Sequence, residues 1–334
     1  MSDKVLLDYG SGGRASQRLI SELFLKHFAN PELDRLNDAA RLELDGPLAV
    51  STDSFTVDPI FFPGGDIGCL AVHGTVNDVA MLGAEPLYLT CGYIIEEGLP
   101  MEDLERIVVS MGAAARHAGV RIVTGDTKVV PRGTVDKIFI NTTGIGRIVA
   151  DPMPSGDRAA PGDAVLISGT MGDHGLTILG TREGLSFEAA VQSDCASLNH
   201  LLLKLVREIP SVHVLRDPTR GGLATTLNEI AISSGAGIEV QEKSVPVRAE
   251  VSGGCSVLGL DPLYLANEGK FICILPEADA EKALEIMRAD ELGGDACRIG
   301  SVTEQNPGKV SLVTPLGGKR LLNMLEGEQL PRIC

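Results

Sequence analysis

Apolar residues at Leu104, Ile107, Val108, Met111 and Ala115 fall on one helical face, with Pro100 and acidic residues at the start and Gly119 just past the end. That spacing predicts an amphipathic helix with both ends marked. On either side the pattern changes to short apolar runs. Residues 48–50 predict a strand that ends at STDS (51–54), residues 121–124 a second that ends at Gly125-Asp126, and residues 137–148 alternate as a third. The second half restarts in the same way. Strands are predicted at 164–168, 237–241 and 270–275, a helix over 197–208 from Leu198, Leu201, Leu202 and Leu205, and another from near Gly221 through Leu223, Leu227 and Ile230. Both halves therefore read as α/β (α+β). Between them, DPMPSG (151–156) and APGD (160–163) have the composition of a linker. The expected organisation is one domain over residues 1–155, an α/β domain over 156–322, and a flexible polar tail over 323–334.

Composition narrows the function. The chain has 334 residues, 44% of them hydrophobic and 22% charged, which excludes a disordered protein. Its 29 basic and 45 acidic residues leave a net charge of -16, and no basic cluster exceeds a pair, so a nucleic-acid surface is not expected. A polyanionic ligand would need bound cations or well-placed Lys and Arg. No apolar run approaches the roughly 20 residues needed to span a bilayer, and the first residues lack a basic region followed by an apolar stretch. A cytoplasmic protein without a membrane partner is expected. The seven cysteines are scattered without a CxxC pair, so neither a disulfide framework nor a zinc site is suggested.

Neither Gly269-Lys270 nor Gly318-Lys319 completes a Walker loop, and no GxGxxG follows a strand. Four aspartates instead sit where a strand is expected to give way to a small-residue turn: Asp53, Asp78, Asp126 and Asp217. Each alone reads first as a turn or N-cap residue. Together they form an oxygen-only set suited to Mg²⁺ shared with phosphates. Lys128, Arg14 behind Gly10-Ser-Gly-Gly13, and Arg220 before Gly221-Gly222 are candidate phosphate donors. Glu268 precedes an apolar strand and adjoins Gly269, which admits a close backbone neighbour. His73, His117 and His174 form no spaced pair and read as structural, and no role for Cys195 emerges. Cys334 differs: its thiol ends a tether that reaches about 35 to 40 Å from Asn323 if extended, which suits a carrier group.

GSGGRASQ (10–17), STDS (51–54), FFPGGDIG (61–68), NDVAMLGA (77–84), GDTKVV (125–130), SGTMGDHG (168–175), LRDPTRGG (215–222), ANEGK (266–270) and terminal PRIC together resemble the HypE family. These are hydrogenase maturation carbamoyl dehydratases in the superfamily of aminoimidazole ribonucleotide synthetase and selenophosphate synthetase. The resemblance implies a homodimer whose N-terminal sheets combine into a barrel-like core, with ATP and Mg²⁺ between the domains. It implies that the carbamoyltransferase HypF loads Cys334, that ATP drives dehydration of the thiocarboxamide to a thiocyanate, and that a HypC–HypD iron scaffold receives the cyano group. By the same resemblance Glu268 is the base and Lys128 steadies the phosphorylated oxygen. Gly12, Gly13, Arg14, Asn77, Lys128, Arg220 and Gly221 contact the nucleotide, and Asp53, Asp78, Asp126 and Asp217 hold metal. Two other readings stay open: a superfamily relative acting on a diffusible substrate, and a carrier module with a degenerate nucleotide site.

Overall fold

The computed structural model describes residues 3–185, 191–327 and 331–334. Short helical segments α1 (Gly13–Leu19) and α2 (Leu25–Phe28), joined by a π turn, precede β1 (Leu48–Phe55) and a small hairpin of β2 (Phe61–Phe62) and β3 (Gly65–Asp66). Then come α3 (Ile67–Met81), β4 (Ala84–Glu96), α4 (Met101–Ala118), β5 (Arg121–Val130) and β6 (Ile138–Ile148). The main sheet of this half has the order β1-β6-β4-β5, so β1 and β5 are its edges. Only β4 and β5 run parallel, joined by the α4 crossover. Four strands do not close into a barrel within the chain.

The expected amphipathic helix is α4, capped by Gly119 in the left-handed region at φ 75°. α3 lacks such periodicity because nearly every residue in it is buried, between the sheet, α4 and the second half of the chain. It starts where the Asp66 carboxylate accepts from the Gly68 and Cys69 amides at 2.7 and 3.1 Å.

The second half contains β7 (Asp163–Ile167), α5 (Asp173–Arg182), α6 (Asn199–Glu208), β8 (Val214–Arg216), α7 (Gly222–Ser234), β9 (Gly237–Gln241) and α8 (Ala249–Leu258). It ends with β10 (Ile272–Pro276), α9 (Ala280–Arg288), β11 (Cys297–Thr303), β12 (Val310–Val313) and β13 (Lys319–Leu322). Its seven-stranded sheet has the order β13-β12-β9-β11-β7-β10-β8. α7 covers one face through Leu223, Leu227 and Ile230, while α6 and α9 cover the other through Leu201, Leu205, Leu284 and Met287.

Two local expectations are corrected. Neither β1 nor β5 stops at its polar motif: β1 runs through Ser51–Ser54 to Phe55, and β5 through Asp126 and Lys128 to Val130. Ladder pairing with β6 and β4 carries these polar residues as strand. Asp78 is not in a turn either, but in the last turn of α3.

Leu104 on α4 is fully buried in the core of the first half. Leu104→Ala should lower unfolding free energy by about 2 to 5 kcal/mol in urea denaturation. A loss under about 1 kcal/mol would mean that the α4 contact is not part of the cooperative core.

Candidate active site

Where β1, α3, the loop after β8 and the segment before β10 converge lies a cavity of about 140 Å³, lined by Thr52, Asp53, Gly74, Asp78, Asp217, Thr219, Arg220, Glu268 and Cys334. Asp53 projects from β1, where its register partner is the buried Thr142. Asp78 Oδ2 accepts from the Ser51 hydroxyl at 2.7 Å. Asp217 follows β8, and Arg220 Nη2 stands 3.8 Å from Asp53 Oδ1. The start of α7 closes on this loop because Gly222, at φ 60°, lies against backbone carbonyls; a Cβ there would be 2.5 Å from Leu265 O.

Glu268 is only 4% exposed. Its amide donates to Asp194 Oδ1 at 3.0 Å, and Asp194 also pairs with Lys270 Nζ at 3.3 Å. A Cβ on Gly269 would fall 1.7 Å from Asp194 O, so the close neighbour expected beside this glycine is the chain at 194–196. Asn77, expected at the nucleotide, does not line the cavity. Its side chain donates to Ala196 O at 2.9 Å and Glu268 O at 3.5 Å and accepts from the Leu198 amide at 2.8 Å, so it fixes the backbone behind Glu268.

The last four residues of the expected flexible tail are docked in this structure. Thr56 N donates to Cys334 O at 2.9 Å, Asp58 N to Arg332 O at 3.2 Å, and the Arg182 guanidinium to Pro331 O and Arg332 O at 2.7 and 2.8 Å. His174 Nε2 lies 2.8 Å from Ile333 O, and its Nδ1 2.8 Å from Ser193 Oγ. His174, a default structural residue in the sequence, is therefore part of the tail's socket.

Four side-chain carboxyls face one guanidinium in this cavity. Burial, followed by Asp217, Asp194, Asp53 and Asp78, holds Glu268 well above the ordinary carboxylate range. Burial and then Asp78 raise Asp217 to about 7. Burial raises the Cys334 thiol to about 12, with Glu268 adding to the shift. Glu268 Oε1 is buried without a hydrogen-bond partner. An oxygen-only set with an orphaned carboxylate oxygen and excess negative charge fits Mg²⁺.

The other expected residues lie elsewhere. Gly12, Arg14, Asp126 and Lys128 line a separate cavity of about 1050 Å³ between the N-terminal segment and β5. Gly13 begins α1, exposed, and Gly221 is the N-cap of α7. Gly10 lets the N-terminal segment touch β5, since a Cβ there would lie 2.2 Å from Val129 N. Asp126 pairs with Gly92 and Lys128 with the exposed Ile94, whereas Asp53 shares its row with Thr142 beneath α3. By strand alternation, Asp53 and Lys128 lie on opposite faces as well as opposite edges of one sheet, about 14 Å apart across the strands.

Residues 36–148 match the family described as AIR synthase related protein, N-terminal domain, and residues 160–313 its C-terminal domain. Carbamoyl dehydratase HypE of Azotobacter vinelandii is 54% identical over 327 residues, covering 98% of this chain and 96% of that protein. The chain belongs to the HypE family of carbamoyl dehydratases. A crystal structure of HypE in complex with ATP superposes with a TM-score of 0.96 at 70% identity, covering 98% of this chain and 99% of that one. The HypE chain of a HypE–HypF complex superposes at 0.82 with 50% identity, covering 92% and 99%. Among the described residues no helix is long and apolar enough to cross a membrane. Sequence reasoning missed Asp194, Arg182 and the role of His174 in this HypE-family site, because each acts through main-chain atoms distant in sequence.

Two outcomes follow. A carboxyl with a raised folded pKa contributes stability below its unfolded pKa and loses it as pH rises through the folded value. Asp217, shifted from 3.8 to about 7, thus penalises the cation-free fold increasingly up to neutrality. Mg²⁺ should raise Tm more at about pH 8 than at about pH 5; equal shifts would remove the cavity carboxylates as its ligands. His174→Phe should speed carboxypeptidase release of Cys334, and an unchanged rate would show that the imidazole does not hold the tail.

Proposed function

We propose that this cavity uses ATP to dehydrate a carbamoyl group carried on Cys334, giving the thiocyanate whose cyano group becomes a ligand of NiFe-hydrogenase iron. The observation that carries this reading is the terminal thiol lining the same small cavity as Glu268 and three aspartates. A diffusible-substrate enzyme has no use for a tail seated there.

The carbonyl oxygen of the S-carbamoyl group attacks the γ-phosphorus of ATP and ADP leaves, which turns a poor leaving group into phosphate. Glu268 takes a proton from the nitrogen as the carbon–oxygen bond breaks, and the second N–H proton is released as the triple bond forms, leaving S–C≡N and phosphate. Mg²⁺ held by Asp53, Asp78 and Asp217 would supply charge neutralisation for the phosphates. Burial is the largest cause of the raised Glu268 proton affinity, followed by Asp217, Asp194, Asp53 and Asp78, so a cation on three of these aspartates would lessen the shift and leave the burial that favours a proton-accepting carboxyl. Burial of the site keeps water from intercepting the phosphoryl group.

Loading takes place on the undocked tail. A thiol raised to about 12 is protonated at neutral pH and a weak nucleophile, so HypF must receive Cys334 outside the cavity, and HypC–HypD collects the cyano group afterwards. Arg332 adopts φ 51°, a left-handed conformation that costs a non-glycine residue roughly 1 kcal/mol and favours release.

A second copy of the chain completes the site. Lys128 and Asp126 cannot reach their own protomer's acidic cavity, while the sheet face they share with Ile94 exposes apolar side chains, including Val50 at 63%. Packing two such faces in a homodimer buries them and brings Lys128 to the neighbour's ATP.

With HypF, carbamoyl phosphate and ATP, mass spectrometry of the C-terminal peptide should show one carbamoyl mass and then loss of one water. Glu268→Gln should stop at the first species; normal thiocyanate formation would remove Glu268 as the base. Mixing inactive Lys128→Ala and Glu268→Gln chains should restore about a quarter of wild-type turnover if Lys128 acts across the dimer, and no recovery would place it outside the neighbouring site.

A further inference from the structure

Behind Glu268, outside the acidic cavity, a second cluster is available for chemistry. Cys69 Sγ, a ring nitrogen of His73 and Cys195 Sγ all lie within 4.8 Å of one another, the only such group of three or more metal-ligating side chains among the described residues. Cys69 and His73 are four apart on α3 and so share a helical face. Cys195 comes from the segment before α6 that packs against it. His73 Nδ1 is 2.5 Å from Ser197 Oγ, which orients the ring and leaves Nε2 for coordination. The Asp66 amide donates to Cys69 Sγ at 3.2 Å, and the Asp66 carbonyl stands 3.2 Å from the same sulfur to accept its proton while no metal is bound.

We propose that Cys69, His73 and Cys195 form a binding site for one thiophilic transition-metal ion of the Zn²⁺ class, distinct from the oxygen-ligated cation of the nucleotide cavity. Two thiolates and a neutral imidazole are the donors that select Zn²⁺ over Mg²⁺. Coordination at about 2.3 Å to sulfur and 2.0 Å to nitrogen draws the three donors together by roughly 1 Å, within the reach of side-chain rotation. The Cys69–Cys195 hydrogen bond lowers the pKa of the Cys69 thiol and, with burial, raises that of Cys195 well above the ordinary range, so without a metal Cys195 keeps its proton and donates to Cys69. Burial holds His73 down to about 4, so the imidazole is neutral and ready to coordinate. As the two metal–sulfur bonds form, both S–H protons leave to solvent, and binding tightens as pH rises. The two cysteines are only half-buried, which leaves the ion a way in and a fourth position for water.

The ion would tie α3, which carries Asn77 and Asp78, to the segment whose Asp194 and Ala196 hold the Glu268 backbone. The assignment rests on the cluster and not on the dehydration chemistry, and its test reads binding. Reduced, metal-free full-length chain is titrated with Co²⁺. The expected result is one ion per chain with a thiolate-to-cobalt charge-transfer band, reduced to about half in Cys69→Ser or Cys195→Ser and retained in Cys334→Ala. No band in the wild type, or a band that survives in the double Cys69→Ser/Cys195→Ser variant, overturns the site. Wild-type chain gives an independent reading that no misfolded variant can blur. Zn²⁺ should protect the peptides containing Cys69 and Cys195 from alkylation and leave half-buried Cys297 reactive; equal protection at all three also overturns it.

Discussion

Mutual repulsion of buried carboxyls is the constraint on which the functional end of this molecule depends. Asp53, Asp78, Asp217 and Glu268 converge from a strand, a helix, a loop and a strand approach on a cavity where Arg220 is the one lining cation, with Arg216 behind it offsetting Asp78 and Asp217. Such a gathering is unfavourable in an unliganded fold, and two well-packed sheets with their helices must hold it in place. A bound cation would relieve the same unfavourable charge, and in the cation-free fold the raised proton affinities of Glu268 and Asp217 answer it instead.

Geometry at Glu268 is set by main-chain contacts. The side chains of Asn77 and Asp194 bind the backbone on either side of it, and Gly269 admits the 194–196 chain at a distance no other residue would allow. A carboxylate held this way has little freedom to turn toward solvent, and its high proton affinity follows from that confinement.

Legibility in the sequence follows from where the information resides. α4 was readable because one face is apolar and the other wet; α3 was not, because burial on all sides removes the periodicity. The expected strand ends at STDS and GDTK failed because small polar residues that resemble turns also suit the open face of a sheet, where ladder bonds override local preference. Asp53, Asp78, Asp217, Arg220, Glu268 and Cys334 were singled out and do meet in one cavity. The sequence could not show that Asp126 and Lys128 lie across the sheet from them, because position across a sheet depends on strand order. Nor could it show Cys195 beside Cys69 and His73, a proximity created only by packing.

The socket for the last four residues grips main-chain oxygens: the peptide carbonyls of Pro331, Arg332 and Ile333 and the α-carboxylate of Cys334 accept from Arg182, Thr56, Asp58 and the His174 ring. None of these bonds involves the sulfur. Grip and thiol are thus separate, and the same donors would seat the tail whether or not its sulfur carries a group, so the socket itself is indifferent to the state of that thiol.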